Sequence, residues 1–171
     1  MRLFIAITFP PQVKQQLADY ADAIGALAQR ANITRRDNFH LTLAFLGGAL
    51  TEAEACAALA KVKGTSFKLY SGKAGVFKRG GDEIHWLGLK SSAELASLYE
   101  ELNAALAEAG FAPEKRSFSP HITLAREVRG LSGELPPPPR FIVPVTGLSL
   151  MNSERVNGLL TYTPMYEKLQ L

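Results

Sequence analysis

Two of the three histidines in this chain stand in the same phrase. His40 opens HLTLAFLG and His121 opens HITLAR, so each is followed by Thr at the second position and by Leu-Ala at the third and fourth. An imidazole with an ordinary pKa of about 6.5 is available as proton acceptor and as proton donor near neutral pH. One ring as general base and another as general acid suffice to open or close a phosphodiester in line. One activates the attacking oxygen while the other protonates the oxygen that leaves. Thr42 and Thr123 supply hydroxyls about 6–7 Å along a strand from their histidines, suited to hold non-bridging phosphate oxygens. Strands favour Thr and Leu in any case, so some agreement is expected; two full copies around two of three histidines exceed it.

Other chemistries fit less well. A zinc site needs at least three protein ligands, and the sequence contains no H-x-x-x-H, H-E-x-x-H or C-x-x-C. His85 is the one candidate for a third ligand, but it lies in the apolar run EIHWLGL and reads as structural. No nucleophile elbow and no G-x-x-x-x-G-K-[ST] loop is present. The glycines of GKAGVFKRGG read as hairpin residues, and the lone cysteine, Cys56, as a small buried apolar group. Neither a metal nor a cofactor is called for.

For this chemistry the two histidines must sit on strands that face each other. Alternation puts His40 and Thr42 on one face of a strand, with Leu41, Leu43 and Phe45 on the other. It likewise pairs His121 with Thr123, opposite Ile122 and Leu124. The surrounding pattern supplies such strands. Leu3–Phe9 reads as a first strand, and Pro10-Pro11 open a helix striped by Val13, Leu17, Tyr20, Ile24 and Leu27. ITRRDN reads as a loop, and Thr51 with Glu54 as the capping box of a second helix reaching about Val62. Ser66–Ser71 and Ala74–Phe77 read as two strands, KRGGD as a turn, and Glu83–Leu89 as the returning strand. Ser91 with Glu94 reads as a capping box for a third helix along Leu95, Leu98, Leu102 and Leu106, stopped by Gly110. Pro136–Pro139 stiffen a connection to two final strands, Arg140–Leu150 and Leu159–Leu169. The expectation is an α+β protein of about eight strands and three helices, with the repeated motif marking two similar lobes.

Composition agrees with a soluble globular chain: 171 residues, 47% hydrophobic and 20% charged. The formal charge of +3 and pI near 9.1 favour an anionic partner only mildly. The start, MRLFIAITFPP, is too short for a secretory apolar segment, and no stretch approaches a membrane span. With one cysteine this points to a reducing cytoplasm, no membrane and a monomer without an obligate protein partner. Arg35, Lys78 and Arg79 fall in expected loops, where they can attract phosphates, and Phe77 or Trp86 can stack a ring of a bound ligand.

At its two motifs the sequence resembles the two-histidine phosphoesterase superfamily, and specifically the bacterial and archaeal RNA 2′,3′-cyclic phosphodiesterases, formerly described as 2′-5′ RNA ligases. RRDNFHLTLAFLG and SPHITLAR look like its two H-x-T-x motifs, MRLFIAITFP like its first strand, and LSLMNSERVNGLLTYTPMYEKLQL like its closing strand pair. The resemblance implies that residues 1–171 form a single bilobal catalytic domain, with two pseudo-symmetric antiparallel-sheet lobes and outer helices around a central cleft. It implies metal-independent hydrolysis of a 2′,3′-cyclic phosphate on RNA ends or small nucleotides to a 2′-phosphomonoester. His40 would then be the proton donor, His121 the acceptor, and Thr42 and Thr123 the phosphate ligands. The resemblance also expects an Arg after the second motif near the phosphate. Arg126 holds that place, yet strict alternation puts it on the face opposite His121. Reversible 2′-5′ ligation and a non-catalytic RNA-end binding module are the alternative readings.

Overall fold

The computed structural model describes residues 1–169, which form nine strands and three α-helices. In chain order these are β1 (Leu3–Thr8), α1 (Pro11–Leu27), β2 (Arg30–Ile33), β3 (His40–Gly47), α2 (Glu52–Ala60), β4 (Phe67–Arg79), β5 (Asp82–Leu89), α3 (Ala93–Glu108), β6 (His121–Arg129), β7 (Ile142–Val145), β8 (Gly147–Val156) and β9 (Leu159–Leu169). Arg36–Asn38 form a 3-10 turn between β2 and β3.

The strands make two antiparallel sheets, in the orders β3-β1-β8-β9 and β2-β6-β5-β4-β7. Leaving β2 aside, the orders correspond: each motif strand, β3 or β6, lies beside a central strand that is itself flanked by a long one. The two-lobed α+β expectation therefore holds. One apolar cluster runs through both sheets and all three helices. β1 reads as unbroken apolar sequence because both its faces are covered. Leu3, Ile5 and Ile7 enter the main core, while Phe4 and Ala6 join Met151 and Tyr162 in a small second cluster.

Local sequence explains the helices. Pro11 occupies the first turn of α1, and Val13, Leu17, Tyr20, Ala21 and Ile24 form its buried stripe. Thr51 caps α2 with the reciprocal Glu54 bonds of a capping box. α3 ends in a Schellman turn. Gly110 takes φ 93°, its N–H bonds Ala107, and Phe111 N–H bonds the Leu106 carbonyl. No helix among the described residues is long and apolar enough to cross a membrane.

Four expectations are corrected. The loop expected at ITRRDN starts one residue late, since Ile33 ends β2; this strand is only four residues long, too short for the alternation of Ala31 and Ile33 to stand out, and is held by pairing to β6. The two strands expected over 66–77 are one, β4, with an irregularity between Ser71 and Ala74, where its partner changes from β7 to β5. The strand expected over 140–150 is two: β7 pairs with β4 at an edge, where Pro144 needs no donor, and β8 crosses into the other sheet. The cap of α3 is Ser92, which accepts from Leu95 N–H at 3.1 Å, because the leucine stripe rather than Glu94 sets the register.

Candidate active site

Both histidines are the first residues of their strands, and both are held by the same device. His40 Nδ1 lies 2.7 Å from the carbonyl of Asn38, and His121 Nδ1 lies 2.7 Å from the carbonyl of Ser119. A carbonyl can only accept, so each Nδ1 carries the proton and each Nε2 is the nitrogen left for chemistry. His40 Nε2 lies 2.7 Å from Thr42 Oγ1, the hydroxyl donating to the neutral ring.

Aromatic rings wall each imidazole. Phe4 and Tyr162 both lie 5.0 Å from His40, Tyr162 at right angles to it. Phe77 meets His121 edge-on at 5.4 Å, with Trp86 behind at 6.1 Å. Burial holds the His40 imidazole below its ordinary pKa; the Asn38 carbonyl opposes this, and Arg126 and Lys14 add to it. Burial also raises the Tyr162 phenol, against the charges of Arg126 and Arg2.

The motif strands break alternation at the same place. Thr42 partners Ala6 and Ala44 partners Ile5, leaving Leu43 as the extra residue of a bulge. Thr123 partners Trp86 and Ala125 partners His85, leaving Leu124 as the extra residue. In both copies Leu-Ala is a consecutive buried pair and the next residue, Phe45 or Arg126, is exposed. A bulge re-aims the side chains beyond it. The opposite-face expectation for Arg126 is thereby corrected: its charge acts on His40 and Tyr162.

The segment between β2 and β3 ties the two motif strands together. β3 and β6 approach each other where the sheets meet. Thr34 bonds β6 at its bulge, N–H to the Leu124 carbonyl at 2.9 Å and Oγ1 to the Thr123 carbonyl at 3.1 Å. From Thr34 the chain passes through the 3-10 turn directly into His40.

The peripheral candidates divide. Arg35 Nη1 donates to the Leu160 carbonyl at 2.9 Å, so it braces β9. Lys78 and Arg79 are exposed on the end of β4 rather than in a loop, because β4 runs up to the Gly80-Gly81 turn. Phe77 is half-exposed beside His121 and packs on Trp86 at 5.1 Å. His85 is buried on the core face, its Nε2 3.2 Å from Glu83 Oε1.

Residues 9–156 match the 2′-5′ RNA ligase superfamily. The chain belongs to this superfamily. It is 31% identical over 167 residues to the RNA 2′,3′-cyclic phosphodiesterase of Escherichia coli K12, covering 96% of this chain and 93% of that one. The RNA 2′,3′-cyclic phosphodiesterase of Thermotoga maritima is 36% identical over 131 residues, 74% of this chain and 70% of its own. The crystal structure of E. coli LigT complexed with 3′-AMP matches with a TM-score of 0.79 at 29% identity, covering 99% of this chain and 97% of that one. In this member of the 2′-5′ RNA ligase superfamily, sequence reasoning missed Phe4, Lys14, Asn38 and Tyr162 around His40. Phe4 and Tyr162 sit in ordinary strand patterns, and Lys14 on the polar side of α1; only Asn38, two residues before the motif, carried a positional signal.

Proposed function

We propose that this protein hydrolyses 2′,3′-cyclic phosphates on RNA ends or small nucleotides to 2′-phosphomonoesters. The observation that carries the reading is the matched pair of Nδ1–carbonyl bonds at Asn38 and Ser119, which presents two Nε2 atoms of one tautomer. A water oxygen attacks phosphorus as His121 Nε2 takes its proton. The P–O3′ bond breaks, and His40 Nε2 protonates the departing 3′ oxygen. The Thr123 hydroxyl and the Arg126 guanidinium hold the non-bridging oxygens, where negative charge accumulates, and the Thr42 hydroxyl joins them once protonation of His40 Nε2 frees its hydrogen.

Donation by His40 is tied to binding. Burial, Arg126 and Lys14 disfavour its imidazolium, and the incoming phosphate supplies the opposing charge that makes the protonated ring stable. The family match and the phosphodiesterase relatives support this reading. Phe77, half-exposed beside His121, is suited to stack the terminal base, and Lys78 and Arg79, exposed next to it on β4, are suited to attract RNA phosphates. The lone cysteine supports a reducing cytoplasm.

The deciding experiment is incubation of a 2′,3′-cyclic-phosphate oligonucleotide in EDTA, with the product phosphate located by phosphorus NMR. A 2′-phosphomonoester is expected. A 3′-phosphomonoester, or unchanged substrate at stoichiometric enzyme, would overturn the proposal. The same mixture with an added 5′-hydroxyl strand measures ligation, in which a ribose hydroxyl replaces water in the same step.

A further inference from the structure

Asn38 is one of three buried polar residues among those described, with only 6% of its surface exposed. Its two polar ends face different elements. The main-chain carbonyl accepts from His40 Nδ1 at 2.7 Å, and the side-chain Nδ2 donates to the carbonyl of Leu160 at 2.9 Å. Leu160 lies on β9, the edge strand of its sheet. The hairpin there is unsupported by a third strand, because the pairing of β1 with β8 ends at Asn152. Two residues beyond Leu160 comes Tyr162, whose ring closes over His40. We infer that Asn38 is the positioning residue of the His40 half of the site: its carbonyl orients the imidazole, and its amide clamps the β8–β9 hairpin so that Tyr162 walls the ring.

The second motif shows that the roles are separable. Ser119 supplies the same carbonyl to His121, but it is exposed and its hydroxyl makes no bond among the described residues. Its histidine is walled instead by Phe77 and Trp86, which β4 and β5 carry without a clamp. Arg35 shares the Leu160 carbonyl with Asn38, but its guanidinium is exposed, whereas the Asn38 amide is sealed from water. A buried amide that loses its acceptor has no solvent to replace it, so the clamp is the closed state of the hairpin.

This inference rests on His40 being the reacting donor, and its test separates the two claims. The histidine rings are titrated by NMR in the full chain without substrate, in wild type, Asn38→Ala and Asn38→Leu. The charged and titratable groups facing His40 are Arg126, Lys14 and Tyr162, and all remain. The Leu variant keeps roughly the size of the side chain, adds no charge and cannot donate to Leu160, and serves if the Ala variant does not fold. In either variant the His40 midpoint is expected to rise as the hairpin lifts and water reaches the ring, while the His121 midpoint stays. With cyclic-phosphate substrate, kcat is expected to fall roughly tenfold or more, with KM within about twofold. Unchanged His40 midpoints in a folded variant would overturn the inference. Lack of turnover by wild type would overturn the proposed function, yet the titration would still decide the role of Asn38.

Discussion

The indole of Trp86 lies over Gly75, the residue that partners it across β4 and β5. A Cβ built on Gly75 would stand 2.2 Å from Trp86 Cζ2. Glycine is therefore required at position 75 for the ring to lie flat behind Phe77 and His121. Gly75→Ala is expected to displace the indole and to cost about 1–3 kcal/mol, as overpacking does. Trp86 is the single tryptophan of the chain, so its fluorescence reports the displacement directly. Urea denaturation gives the stability, and an unshifted emission spectrum with unchanged stability would contradict the packing.

Removal of either imidazole is expected to cost roughly 10²–10⁴-fold in kcat. His40→Ala and His121→Ala should retain the far-ultraviolet circular dichroism of wild type, since each ring stands at the start of its strand. Full turnover in either variant, measured in EDTA, would remove the acid–base assignment.

Stability should fall on acidification through His40. Its folded-state pKa is held below the ordinary value, chiefly by burial. The unfolded chain therefore binds the proton more readily, and stability rises with pH in that window. The loss begins as pH drops below about 6.5 and levels off below the depressed folded value. His40→Gln should flatten this part of the profile. Denaturation midpoints between pH 5 and pH 8 in the two proteins make the comparison.

Arg126→Gln is expected to weaken substrate capture. A charge-assisted bond to phosphate contributes about 1.5–3 kcal/mol, so kcat/KM should drop roughly tenfold to a hundredfold. The salt dependence of binding should lose about one unit of slope. The His40 titration should move upward as well, because one opposing cation is gone. Unaltered salt dependence would place Arg126 away from the phosphate.

Thr51→Ala serves as a control remote from the cleft. It removes the side-chain half of the α2 capping box, in which Thr51 Oγ1 accepts from Glu54 N–H, and should cost about 1 kcal/mol of stability. Turnover of the folded enzyme at 25 °C should not change; a large loss would connect α2 to the site.

Much of this was legible because the repeated phrase carries its own geometry. His40 with Thr42, and His121 with Thr123, share a face as period-two alternation requires, and the helix stripes and the Thr51 cap are local signals. The misses arise where tertiary pairing overrides local pattern. β2 is four residues long, too short for its alternation to stand out, and exists because β6 offers it a partner. The passage from β7 to β8 has only Thr146 between strands that belong to different sheets. The face of Arg126 depends on a bulge at Leu124 that a rule of strict alternation cannot contain. Tyr162 and Lys14 reach His40 from β9 and α1, and no spacing along the chain encodes that meeting.

The pairing of Leu3 with Asn152 means that the first sheet is closed by residues made long after its first strand. While the chain emerges from the ribosome, β1 and β3 can meet early, but β1 keeps one side bare until β8 arrives. The second sheet has all its strands but β2 within 67–145, so its His121 half can assemble before the His40 half is complete. Synthesis truncated before β8 would leave an apolar strand edge with no neighbour, a template for association between nascent chains. The order in which the halves mature is thus written into which sheet receives the C-terminal hairpin.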